Sequence, residues 1–113
     1  MIMAHDDKFS ADQEFVASIF KWIEEHSKAG VRVTGAPLTP PYQARAVQIR
    51  DDTLDISDGP FTSGPLHTAA FELIECDDLE MALSIASTHP MATRATIEVR
   101  PIWSELDEIH DDA

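Results

Sequence analysis

One stretch of helical period decides most of what this chain can become. In FVASIFKWIEEHSKAG, Phe15, Ile19, Trp22 and Ile23 recur at the spacing of one helix face, with Val16 and Phe20 widening the stripe. Such a stripe must be buried against something, and most of the remaining chain alternates with period two. VRVTGAPL places Val31 and Val33 on one face, and ARAVQIR with TLDIS reads as a hairpin about Asp51-Asp52. HTAAFELIE and ATIEVRPI read as further strands, and Met1 to Ala4 is apolar enough for a short one. A second helical segment, DDLEMALSIAST, precedes the last strand. The order is β-α-β, a hairpin, then β-α-β.

Local signals place the ends. Ser10 and Gln13 have capping-box spacing, which sets the first helix at about Ser10 to Ala29, with Gly30 closing it. Asp77 and Glu80 repeat that logic for the second helix, and His89-Pro90 ends it, with a histidine cation favoured at the negative helix end. Pro40-Pro41 makes LTPPY a connection rather than a strand. In DGPF, residues 58–61, Asp58 and Gly59 suit a turn, Pro60 fixes the next φ, and Phe61 is expected to enter the core. The fold class is therefore α+β: a ferredoxin-like βαββαβ-type antiparallel sheet with both helices on one face. Simple alternation points Val33, Val47, Ile49, Leu73, Ile97 and Val99 at the helices. It leaves Arg32, Ala70, Glu72, Glu98 and Arg100 on the other face.

A length of 113 residues suits one domain, here residues 1–103, followed by an acidic tail at 104–113 that reads as solvated and mobile. The formal charge of −13 opposes binding to nucleic acid or to anionic membrane surfaces. The single cysteine, Cys76, rules out an internal disulfide, and no apolar run reaches the roughly 20 residues of a membrane helix. MIMAHDDKFS lacks the basic start and long apolar core of a signal peptide, so a cytoplasmic protein is expected. His5-Asp6-Asp7 and His110-Asp111-Asp112 lack the His spacing of a metal site, and no cofactor loop is present, so no metal or cofactor is expected.

DGPF, its distance to FELIE, the run CDDLEMALSIASTHPMATRATIEVRPI, and the upstream AHDD and VRVTGAPLTPP together resemble the DGPF group of the YCII-related superfamily. The resemblance covers about Ile2 to Ile102. It implies a ferredoxin-like fold that pairs through its sheets into a dimeric α+β barrel, with the charged sheet face lining a cavity between subunits. Some members are encoded near or fused to sigma factors. A relative in the wider superfamily eliminates chloride from a chlorinated hydroxyquinol, using a His-Asp pair. Asp6 matches the Asp of that pair, but the helix-1 His position falls on Ile19. After DGPF this chain also has GPLH, Ala69-Ala70 and Glu72 where the group has a polar run, Gly-Gly and an aromatic.

Two functions follow as expectations. In the first, a homodimer binds or transforms a small anionic or phenolic molecule at the subunit interface. His67 would serve as a base oriented by Asp6 or Asp58, with Asp58 a pocket acid and Thr62 and Ser63 as donors. Arg32 or Arg100 would clamp an anion, with Glu72 and Glu98 alongside. In the second, the chain is a non-catalytic dimeric regulatory or interaction module, and these four charges form ion pairs that set dimer register.

Overall fold

The computed structural model describes residues 1–62 and 64–104. Ser63 and, apart from Ser104, the acidic tail lie outside the described residues. In chain order the elements are β1 (Ile2–His5), α1 (Gln13–Lys28), β2 (Arg32–Pro37), β3 (Arg45–Arg50), β4 (Thr53–Asp58), β5 (His67–Ile74), α2 (Leu79–Ser87) and β6 (Thr96–Glu98). Short 3-10 turns cover Pro41–Gln43 and Pro90–Thr93.

Helix α1 starts later than a Ser10 cap would place it. Its N-cap is Asp12, whose Oδ1 accepts from the Phe15 N–H at 2.8 Å. A carboxylate there also complements the positive end of the helix, which a hydroxyl does not. Helix α2 likewise begins one residue beyond expectation, with Asp78 accepting from the Met81 N–H at 2.8 Å. The end of α1 is as read from sequence. Gly30 has φ 74°, its N–H reaches the Ser27 carbonyl, and the Val31 N–H reaches that of His26. These two bonds satisfy carbonyls the helix leaves open.

Four strands form one antiparallel sheet in the order β2-β5-β1-β6. This is the ferredoxin-like arrangement, with the longest strand, β5, in the interior. The β3–β4 hairpin is a separate two-stranded sheet inserted between β2 and β5. Its turn residues, Asp51 and Asp52, have φ of 52° and 62°, the left-handed pair that a two-residue hairpin requires. Val47 and Ile49, expected to face the helices, therefore belong to a different sheet and are exposed. Phe61 of DGPF is also a correction: it is 92% exposed, because the loop carrying it leads away from the core.

Register decides which residues meet the helices. Residues directly opposed across an antiparallel pair share a face. Met3 opposes both Ala70 and Ile97, and Met3 packs with Phe15 of α1 and with Met91 in the core. Ala70 and Glu72 are therefore on the helix side, Glu72 opposite Gly35. An irregularity at Val33 shifts the ladder, so that Arg32 opposes Ile74 on that same side while Thr34 opposes Leu73 on the other. Ile2 with Phe71 and Glu98 also faces outward. The expected faces of Arg32, Ala70, Glu72 and Leu73 are thus inverted, while Ile97 is as expected. Helix α2 lies on the same side as α1, since the Trp22 Nε1–H donates to Thr88 Oγ1 at 3.0 Å.

Candidate functional site

Placing Glu72 on the helix side creates a polar point in apolar surroundings. Its side chain is 5% exposed, and Oε2 accepts from Arg32 Nε at 2.5 Å. Burial of a lone carboxylate is costly, and the guanidinium offsets that cost. Gly35 makes room for it: a Cβ there would collide with the Glu72 carboxylate and the Phe71 carbonyl. Among the described residues no hydrogen bond reaches the second carboxylate oxygen, Oε1.

Between α1 and this face lies a cavity of about 300 Å³. That is at the small end of the roughly 300–1,000 Å³ usual for ligand pockets. Phe9, Ile19, Ile23 and Leu38 supply apolar walls, and Ala70 and Glu72 supply part of the sheet surface. A second hollow of about 320 Å³ lies under the start of α2, bordered by Cys76, Leu79, Ala82 and Arg100, and it also touches Glu72. The Cys76 Sγ is engaged with the Asp78 carbonyl at 3.4 Å.

His89 borders the first cavity and is 2% exposed. It is not the helix-end cation that sequence suggests. Its Nδ1 accepts from the Met91 N–H at 3.0 Å, which fixes the proton of the neutral ring on Nε2. Burial, then the neighbouring His26, lowers its pKa to about 4. The ring sits 4.5 Å from that of Trp22, and Trp22 stacks on His26 at 4.1 Å.

The residues singled out in the sequence divide into separate groups. Asp6 closes a turn at the end of β1, its Oδ1 accepting from the Lys8 N–H at 2.9 Å. His67 meets His5 edge-on with ring centroids 4.8 Å apart, and His5 in turn stacks on Phe9 at 4.2 Å. Among the described residues no carboxylate bonds to the His67 ring. Thr62 and His67 share a shallow depression with Tyr42 and Gly59. Asp58 instead pairs with Arg45 across the hairpin at 3.3 Å, and both are solvent-exposed. Glu98 and Arg100 pair with each other at 3.1 Å rather than with Arg32 and Glu72.

A family model of the YCII-related domain matches residues 1–106. The chain belongs to the YCII-related family. A search of curated proteins finds no match. No helix among the described residues of this YCII-related chain is long and apolar enough to cross a membrane. Among the described residues no cluster of three His, Cys, Asp or Glu is placed to hold a metal ion.

Sequence reading missed Gly35, His5, Phe9 and His89 as parts of the site region. Gly35 carried a usable signal, being a glycine within a strand pattern, which often marks close approach of another group. The stacking of His5 on Phe9 and the burial of His89 depend on the turn after β1 and on Trp22, which no local pattern encodes.

Proposed function

We propose that this YCII-related chain acts as a homodimer that binds a small, mostly apolar molecule in the cavity between α1 and the sheet. A neutral hydroxyl of that molecule, alcoholic or phenolic, donates to Glu72 Oε1. The observation that carries this reading is the buried Glu72 carboxylate, charge-compensated by Arg32 and with one oxygen left for a donor, beside apolar walls. A carboxylate ligand fits less well. Arg32 is already committed to Glu72 and Arg100 to Glu98, so neither is a spare cation for an anion. Binding is favoured over proton transfer, because His67 and Asp58 point to different partners. Pairing with a second copy is supported by the outward sheet face, which presents Ile2, Phe71 and Leu73, with Phe71 40% exposed.

The test is a thermal-shift screen with native mass spectrometry, using compounds of matched size that differ only in a neutral hydroxyl or a carboxylate. Hydroxyl compounds should raise the melting temperature, and Glu72→Gln should weaken their binding about tenfold, the loss of one hydrogen bond to a charged acceptor. Carboxylates binding more tightly, or hydroxyl compounds binding equally to Glu72→Gln and wild type, would reject the reading. Ala70→Leu, which fills the cavity, provides a second control: binding that survives it lies elsewhere.

A further inference from the structure

The β3–β4 hairpin carries an apolar face that its own subunit leaves open. Val47 opposes Ile56 and Ile49 opposes Leu54, so the four aliphatic side chains share one face. They are 66%, 55%, 62% and 59% exposed, respectively. The opposite face holds Ala46 with Ser57, Gln48 with Asp55 and Arg50 with Thr53, and the Arg45–Asp58 pair closes the aliphatic face at its base. This is the pattern of a strand pair half-buried against another layer, yet β3 and β4 pack mainly on each other. The radius of gyration is 16.9 Å, against about 13 Å for a compact chain of this length. A two-stranded hairpin alone is at best marginal in water. The hairpin therefore projects, and its apolar face awaits cover.

We propose that the hairpin is an arm that lies on the outward sheet face of a second copy of the chain. The same chain presents both halves of the contact: the aliphatic face of the arm, and an outward sheet face where Phe71 is 40% exposed between the half-buried Ile2 and Leu73. A two-fold axis then satisfies both at once, each arm covering the sheet of its partner. Burying four aliphatic side chains removes on the order of 400 Å². Phe61 and Tyr42 near the arm's base are 92% and 78% exposed, and aromatic side chains bury roughly 150–250 Å² each. The sum approaches the roughly 800 Å² per partner of a stable interface. The acids of the two faces, Asp58 on the arm and Glu98 on the sheet, are each paired with an arginine of their own subunit, Arg45 and Arg100, which limits like-charge repulsion in a chain of net charge −13. The inference rests on the homodimer reading above but not on the ligand.

Sedimentation velocity at micromolar concentration tests it with two variants. Ile49→Lys/Leu54→Glu removes the apolar arm face while leaving an opposite-charge cross-strand pair that keeps the hairpin. Phe71→Lys alters the sheet face. Circular dichroism and a thermal melt confirm that each remains folded. Wild type should be a dimer, and each variant alone should dissociate at least a hundredfold more readily. Mixing the two should restore dimers, because the mixed pair keeps one intact arm on one intact sheet face. A monomeric wild type would overturn both the arm and the homodimer. An arm variant that stays dimeric, or a mixture that does not recover, would overturn the arm alone.

Discussion

Arg32 and Glu72, forty residues apart in sequence, meet across β2 and β5 on the helix side of the sheet, with Nε and Oε2 2.5 Å apart. Their side chains are 16% and 5% exposed, so this pair is shielded from solvent, unlike the surface pairs Lys28–Glu24 and Arg45–Asp58. Removing only the cation strands a buried carboxylate. Arg32→Met should therefore cost about 3–5 kcal/mol in urea unfolding, while Arg32→Met/Glu72→Leu should fall close to wild type. A single variant as stable as the double one would show that the pair is not a buried one.

Gly35 has a related role that can be tested separately. Gly35→Ala should destabilise by about 1–3 kcal/mol, since the new methyl meets the Glu72 carboxylate and the Phe71 carbonyl. Adding Glu72→Ala should recover part of that loss, and only part, because the Phe71 carbonyl belongs to the backbone. A double-mutant cycle measures the coupling; strict additivity would place the clash elsewhere.

His89 makes stability depend on pH. An unfolded histidine titrates near 6.5, while the folded ring is held down to about 4 by burial. Between those values the unfolded chain takes up a proton that the folded chain refuses, so stability is lost as pH falls from 6.5 to 4. The full contribution is about 3 kcal/mol. His89→Asn keeps an acceptor for the Met91 N–H but cannot titrate. Denaturation midpoints collected from pH 7 to 4 should fall more steeply for wild type than for the variant; parallel curves would contradict the assignment.

The start of α1 offers a direct comparison. Asp12→Ala should cost about 1 kcal/mol, because it removes the bond to the Phe15 N–H, whereas Ser10→Ala should cost a few tenths at most. Thermal melts of the two variants distinguish the caps, and the reverse ranking would return the cap to Ser10.

The elements were legible wherever period and turn chemistry are local. The apolar stripe of α1, the Gly30 close and the Asp51-Asp52 hairpin all follow from short windows of sequence. The faces of the sheet were not. Alternation assigns sides correctly only while the ladder is regular, and the shifts at Val33 and between Met3 and Ala4 reverse parity along their strands. Arg32 read as outward-facing for that reason, while Ala70 and Glu72 did so because alternation about the apolar Leu73 sets the wrong phase for β5. Phe61 was misread on different grounds: DGPF signals a turn but not the direction of the chain beyond it. Ferredoxin-like architecture and YCII-related membership rest on the whole pattern, so they are unaffected by such slips.

The strand order has a consequence for how the chain acquires its shape. In β2-β5-β1-β6 no two neighbouring strands are consecutive in sequence, and β5 bridges two that precede it by tens of residues. Closing such long loops comes before any reward from pairing, which slows folding. Only the two helices and the β3–β4 hairpin can form from short-range contacts alone. During synthesis, β5 must emerge before the first bond of the four-stranded sheet can be made. Until then the stripe of Phe15, Ile19 and Trp22 has no sheet to cover it.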